Sequence, residues 1–274
     1  MRPLRLEAPA KVNLSLRVVG RRDDGLHLLD SELVLLELAD RLLLLPGCSG
    51  LRVEGEGAAG MPLDGRNLAW RGLRAGIGAE PDAVCLTLEK RIPAASGLGG
   101  GSSDAAAAWR LGRASRGVSA PADSIELADL AAIGADVPFF AAGVAAARIG
   151  GIGERVEPLP APGRHVVLVH PLFGLSTAAV FAELRREEWG SDGNDLLPAA
   201  RRLRPELDDL FARVSAAGGT PRLTGSGPTI FTPADDDESA AAIAAALERA
   251  GARTTVTRTR EAPAAIEAID EEEA

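Results

Sequence analysis

An α+β protein of two domains is what this chain predicts, and three observations carry the prediction. Strand-like and helix-like segments are interleaved along its 274 residues, and 46% of those residues are apolar, enough to build sizeable cores. Pro158, Pro160 and Pro162 then punctuate the chain just past a glycine-bearing strand segment. The boundary falls there, giving domains 1–158 and 159–274.

The elements follow in order. Residues 4–19 alternate apolar and polar positions around Pro9 and Lys11, which reads as an opening strand with an irregular middle. Residues 31–45 and 51–56 continue as strands, 67–76 reads as a helix and 84–88 as a strand. A glycine-dense loop at 93–106 runs straight into a helix reaching Arg110, and 125–133 is a further short helix. Residues 143–159 combine glycines with a Glu-Arg-Val-Glu alternation typical of strand sequence. In the second domain 165–170 is a strand, 177–187 and 198–217 are helical, 229–232 is a strand, 239–250 is an alanine-rich helix and 254–259 closes as a strand. The acidic run 235–238 suits the N-terminus of that alanine-rich helix, and 271–274 reads as a solvated, frayed end.

Composition excludes several functions. A net charge of −9 and a pI near 5.0 argue against nucleic-acid binding, which works through cationic contact with phosphates. With three His and two Cys no structural zinc set can be assembled, and Cys48 and Cys85 read as the reduced thiols of a cytoplasmic protein. Residues 1–11 place an acid and a proline where a signal peptide needs its apolar region. No stretch is long and uncharged enough to span a membrane.

The loop Pro93-Ala-Ala-Ser-Gly-Leu-Gly-Gly-Gly-Ser-Ser-Asp104 is built like a phosphate cradle. Gly97, Gly99, Gly100 and Gly101 let a ligand approach the main chain, and Ser102, Ser103 and Asp104 read as cap and first-turn residues of a helix whose free N–H groups favour an anion. A Walker A loop needs a Lys directly before its Ser/Thr, and a dinucleotide fingerprint needs a third Gly where Ser102 stands, so neither fits. Gly/Ser-rich sequence also serves as linker, but a linker is not followed by an alanine-rich helix with an acid in its first turn.

Four other segments stand out. Lys11 sits inside an otherwise apolar strand, which taken alone fits an edge-strand lysine that snorkels to water. Asp136 lies in Gly134-Ala-Asp-Val-Pro-Phe-Phe140, which taken alone fits an Asx-turn or helix cap. Gly20-Arg-Arg-Asp-Asp-Gly-Leu-His27 is a charged turn, and Leu223-Thr-Gly-Ser-Gly-Pro-Thr229 a second glycine turn leading into a strand.

Together with Asn67-Leu68, Gly151-Ile-Gly-Glu-Arg155 and Asn194-Asp-Leu196, these segments resemble the GHMP superfamily of small-molecule kinases, in the family's order from residue 9 to about residue 230. The triple glycine, the Gly-Ala-Asp-Val-Pro-Phe-Phe run and the early Gly-Arg-Arg turn narrow the resemblance to the branch that phosphorylates the 2-hydroxyl of a cytidine-diphosphate-linked methylerythritol for isoprenoid precursors. The resemblance implies a first domain like the second domain of ribosomal protein S5, a ferredoxin-like second domain, and a site between them. It implies Asp136 as base and Lys11 as its partner, an ammonium that keeps the carboxylate charged and stabilises charge on the moving phosphoryl group. It implies ATP held by Pro93, Gly97, Leu98, Gly99, Gly100, Gly101, Ser102 and Ser103 with Asn67 near the nucleotide, and substrate contacts from Asn13, Leu26, His27 and Phe181. Mg²⁺ is expected from the chemistry, with Ser103 and Asp104 as candidate ligands. The partner is then a small molecule, with neither nucleic acid nor membrane, and the assembly a monomer or weak homodimer. One departure stands out: the family's Gly-Tyr-His turn reads Gly25-Leu26-His27 here, and the chain has no tyrosine. Mevalonate, homoserine or a sugar is therefore an alternative substrate, and a catalytically silent nucleotide-binding protein a second alternative.

Overall fold

Two unusually long strands, β1 (Leu4–Arg21) and β2 (His27–Pro46), pair antiparallel along their whole length and form the spine of the first unit. The computed structural model describes residues 2–191 and 193–270, so the tail 271–274 lies outside the described residues. The other edge of β2 is shared, with β4 (Val84–Lys90) at its C-terminal end and β5 (Ala146–Gly151) at its N-terminal end. Strand β3 (Gly50–Gly55) runs parallel to β4, and β6 (Arg155–Pro158) antiparallel to β5. The segment 143–159, predicted as strand, is thus a hairpin folded about Ile152–Glu154.

Helices α1 (Leu68–Ile77), α2 (Gly100–Ser115), α3 (Ser124–Ala131) and α4 (Val137–Ala141) pack on this sheet. The burial of β2 explains its unbroken apolar run. Leu33 and Leu35 face Ala105, Trp109 and Phe139 of the helices, whereas Val34 and Leu36 face Val166, Leu168 and Phe231 of the second unit. A strand covered on both faces needs apolar residues in both phases of its alternation. Helices α1 and α2 meet backbone to backbone, because a Cβ at Gly72 would stand 2.0 Å from the Ala105 carbonyl oxygen and one at Gly76 2.2 Å from that of Trp109.

The second unit carries β7 (His165–His170), α5 (Thr177–Glu183), a 3₁₀ turn at Arg186–Glu188, α6 (Leu197–Leu203), α7 (Glu206–Ala216), β8 (Arg222–Leu223), β9 (Ile230–Ala234), α8 (Asp237–Arg249) and β10 (Arg253–Arg258). Its sheet is antiparallel throughout in the order β10-β7-β9-β8, the ferredoxin-like arrangement. The helix predicted over 198–217 is divided at Arg204-Pro205, since a proline cannot continue the hydrogen-bond ladder. Asp236 caps α8 by accepting the Ser239 N–H at 2.8 Å, as the acidic run suggested. The last strand, β11 (Glu267–Ala268), returns to the first sheet and pairs with β1.

Two expectations are corrected. Helix α2 begins at Gly100, not at the serines: Gly99, at φ 74°, is the N-cap and makes no side-chain cap bond, so Ser102, Ser103 and Asp104 lie inside the helix. Cys48 and Cys85 are joined in a disulfide with Cα atoms 5.3 Å apart, rather than standing as free thiols. The cause is the parallel register of β3 on β4, which sets Gly50 opposite Cys85 and so brings Cys48 alongside.

Candidate active site

The site starts from an irregularity in β1. Register against β2 shifts between Pro9 and Lys11 and again between Asn13 and Ser15, so the strand bulges where the sequence predicted its irregular middle. The bulge leaves Ala10 without a partner, while Lys11 stays opposite Leu35 and its N–H donates to Leu98 O at 3.0 Å. The buried Nζ donates to Asn13 Oδ1 at 2.7 Å and to Gly97 O at 3.0 Å, and lies 3.4 Å from Asp136 Oδ2. Asp136 occupies the N-cap position of α4 but makes no cap hydrogen bond, and its side chain is 37% exposed. One face of the carboxylate is thus held by an ammonium and the other is open. Asn13 continues the network inward, its Nδ2 donating to Ser31 Oγ at 2.8 Å and Ser31 Oγ to Ser15 O at 2.6 Å.

The glycine loop wraps this pair. A Cβ at Gly97 would stand 2.7 Å from Gly227 O and 2.8 Å from Thr224 O, and Gly97 itself is at φ 79°. Only glycine lets the loop lie this close to the turn of the second unit. Beyond it, the amides of Gly100, Gly101 and Ser102 open α2 without intrahelical acceptors, and all three residues line the cavity. Ser103 Oγ is buried one turn in and has no hydrogen-bond partner.

Beneath the loop lies a buried charge cluster that the sequence did not reveal. Lys90 Nζ bonds both Asp40 Oδ2 and, at 2.7 Å, Asp104 Oδ2, and all three side chains are sealed from solvent. Asp40 also accepts the N–H groups of Arg91 and Ile92. Two carboxylates compete for one ammonium, and burial followed by the repulsion of Asp40 outweighs the attraction of Lys90, pushing Asp104 up to about 8. Asp104 is therefore engaged in the interior through Oδ2, while its Oδ1, like Ser103 Oγ, has no hydrogen-bond partner. The sign of the linkage follows: between the ordinary 3.8 and about 8 the folded protein holds a proton that the unfolded chain has released. Unfolding free energy should accordingly fall as pH rises from about 5 to about 8.5, and Asp104→Asn should remove much of that slope. Urea titrations of both proteins at several pH values check this, and equal slopes would sink it.

The far wall comes from the second unit. Asn194 Nδ2 donates to Leu223 O at 3.0 Å and Gly225 O at 2.8 Å, fixing the second glycine turn. Thr224 Oγ1 accepts the Asn13 N–H at 3.2 Å, tying that turn to β1. Thr177 and Ser226 share a hydrogen bond of 2.8 Å at the cavity edge, next to Phe181 on α5. His27, at the start of β2, stacks on Phe181 with ring centroids 5.1 Å apart and planes 25° from parallel. Burial, then the nearby Arg21 charge, lowers the His27 pKa and keeps its imidazole neutral at pH 7.

A cavity of about 530 Å³ between the two units collects most of the predicted residues: Lys11, Asn13, Pro93, Gly97, Gly99, Gly100, Gly101, Ser102, Asp136 and Phe181 all line it. Leu98 and Ser103 lie buried directly behind the lining. Asn67 caps α1 by accepting the Ala69 N–H at 2.9 Å, and Leu68 beside it reaches the cavity. Leu26 is 49% exposed on the β1–β2 turn and does not line it. Ser31, Lys90, Thr177 and Ser226 line it without having been predicted. Among the described residues no helix is long and apolar enough to cross a membrane.

The chain matches family models for the GHMP kinases N terminal domain over residues 67–144 and for the GHMP kinases C terminal over residues 172–253. It is 40% identical over 270 residues to a 4-diphosphocytidyl-2-C-methyl-D-erythritol kinase of Dinoroseobacter shibae, covering 87% of this chain and 90% of that one. The crystal structure of a 4-(cytidine 5'-diphospho)-2C-methyl-D-erythritol kinase aligns with a TM-score of 0.78 at 36% identity, covering 93% of this chain and 98% of its own. A homoserine kinase from Cytophaga hutchinsonii, at 16% identity and a TM-score of 0.64, covering 97% and 98% of the two chains, shares the fold.

Proposed function

This chain belongs to the GHMP kinases, and within them to the 4-diphosphocytidyl-2-C-methyl-D-erythritol kinase family, and on that premise we propose that it transfers the γ-phosphoryl group of ATP to the 2-hydroxyl of 4-diphosphocytidyl-2-C-methyl-D-erythritol, with Asp136 and Lys11 at the reacting oxygen. The observation that carries the residue assignment is the Lys11–Asp136 pair at 3.4 Å, facing the amide-lined start of α2 across one cavity. Phosphoryl transfer asks the protein for positioning and charge stabilisation more than for covalent chemistry. The open face of Asp136 accepts the hydrogen bond of the acceptor hydroxyl and takes its proton as the new P–O bond forms. Lys11, fixed by Asn13 and Gly97, lies 3.4 Å from Asp136 and presents its positive charge where negative charge builds on the transferred group. The amides of Gly100, Gly101 and Ser102 hold the ATP phosphates, with Pro93, Leu98 and Gly99 shaping the loop and Asn67 setting its flank by capping α1.

The unpartnered Ser103 hydroxyl and the unpartnered Oδ1 of Asp104, whose Oδ2 is held by Lys90, are the two candidate donors to a Mg²⁺ ion bound with the triphosphate. Such an ion would shield the phosphate charges. Asn13, His27, Phe181 and the exposed Leu26 are assigned to the substrate. The same reading places the enzyme in the cytoplasm, where its nucleotide substrates are found, as a monomer or weak homodimer. The test is ADP release with Mg-ATP, offering the cytidine substrate beside mevalonate, homoserine and galactose, with Asp136→Ala as the blank. Turnover confined to the cytidine substrate and lost in the variant supports the reading; turnover of another alcohol alone overturns the substrate assignment.

A further inference from the structure

The chain is poor in aromatics, with six Phe, three Trp and no Tyr, yet two of these rings meet a histidine, and one of the two, Phe181, lines the cavity while His27 and Trp189 stand behind it. His27 stacks on Phe181, and Trp189 stands edge-on to His27 with centroids 5.6 Å apart and planes at 77°. Arg186 lies over the outer face of the Trp189 ring, 3.9 Å from its centroid.

Trp189 is held from both sides. The preceding residue, Glu188, is bound by Arg202, which also grips Glu183 of α5 through its side chain at 2.7 Å and its carbonyl at 2.8 Å. The following residue, Gly190, donates its N–H to Asp195 Oδ2 at 2.7 Å. Asp195 is fully buried, and the same carboxylate accepts the N–H of Val18 on β1 at 2.7 Å and both the N–H and the hydroxyl of Ser191. One clamp therefore ties the indole to the helix that carries Phe181, and the other ties it to the strand next to His27. The indole also packs against the core of the second unit, so its position is fixed on that side too.

We propose that Trp189 is a positioning residue for nucleobase recognition, fixing the His27 imidazole flat against Phe181 so that its ring edge meets the base of a cytidine-linked substrate at a set angle. A neutral imidazole offers one donor and one acceptor in its plane, so its use in reading a base depends on the orientation of that plane. Freed of the indole, the ring rotates about its own side chain and the recognition edge is lost part of the time. Leu26, exposed beside it, cannot supply a replacement aromatic edge.

The inference rests on the cytidine-linked reading of the site, and the test separates the two. Steady-state kinetics on Trp189→Leu should show KM for 4-diphosphocytidyl-2-C-methyl-D-erythritol raised about tenfold, with kcat and KM for ATP within about twofold of the wild type. Trp189→Phe, which keeps an aromatic edge, should recover most of that loss. His27→Ala in the Trp189→Leu background should add little to the KM of either single variant, since both remove one interaction. An unchanged KM in Trp189→Leu overturns the inference, as does an equal rise in KM for both substrates or full additivity with His27→Ala. If Trp189→Leu does not fold, the coupling is read from Trp189→Phe with His27→Ala under the same criteria. A wild-type enzyme that does not turn over the cytidine substrate overturns the functional reading and this inference with it, whereas wild-type turnover with an unchanged variant KM overturns this inference alone.

Discussion

Asp136→Asn is expected to lower kcat by about 10²–10⁴-fold, the range set by loss of a positioned proton acceptor, while leaving the urea midpoint within error of the wild type. The two halves of that expectation have separate structural grounds. The carboxylate makes no cap bond to α4 and its side chain is 37% exposed, so the fold does not depend on its charge. The amide keeps the shape but can no longer accept a proton. Lys11→Met should cost a similar factor in kcat and differ in stability, because Asn13 Oδ1 and Gly97 O then lose the Lys11 donor in a buried setting and share only the Thr224 hydroxyl, 3.4 Å from each, which can satisfy one of them at a time. Each such orphaned acceptor costs about 1–3 kcal/mol. An Asp136→Asn enzyme that keeps more than about a tenth of the wild-type kcat would show that the carboxylate does not take the proton.

The second large effect lies below the phosphate loop. Among the described residues Lys90 is the one cation that the cluster contacts, and Lys90→Met leaves the carboxyl groups of Asp40 and Asp104 facing each other with no counter-charge. Breaking a buried ion pair by deleting one partner costs about 3–5 kcal/mol, because the remaining charge is neither solvated nor paired. Asp40 is the more heavily committed of the two, since it also holds the Arg91 and Ile92 amides that lead into the glycine loop. Because Asp104 already holds a proton at neutral pH, adding Asp104→Asn to Lys90→Met should recover little of the loss, and Asp40→Asn, which also gives up those amide contacts, no more. Equilibrium denaturation reads all three variants, and a loss below about 1 kcal/mol for Lys90→Met would mean that water reaches the cluster.

How much was legible in the sequence differs residue by residue. Lys11 was visible because a charge inside an apolar strand is anomalous, and Asp136 because it sits in a turn flanked by apolar residues. The glycine loop announced itself by composition, but its helix start was misread at Ser102, since a positive-φ glycine can cap a helix with no side-chain signature. The buried cluster was missed although a signal existed: Lys90 continues the inward phase of Leu86 and Leu88, and Asp40 that of Leu42 and Leu44. Read by the alternation of their strands, both point inward. The Cys48–Cys85 pairing and the placing of Trp189 against His27 had no local signal, because each depends on register or packing between segments distant in the chain. The division of roles along β2 was likewise invisible, since an apolar run does not say which partner covers which face.

The return of β11 to the first sheet makes the two units inseparable at a single cut. Ala264 and Ile266, just before β11, pack into the core under α1 and α2, Arg110 donates to the Ala264 carbonyl at 2.9 Å, and the Ile269 N–H bonds Pro3 O. A fragment ending at the proline-rich connection would carry β1 as a bare edge, with a patch of its core uncovered. Exchange of the second unit between relatives thus has two seams and not one: a graft of 163–258 leaves the native edge strand in place, whereas a graft of everything after residue 158 sets a foreign strand against β1 and asks one substitution to satisfy two cores.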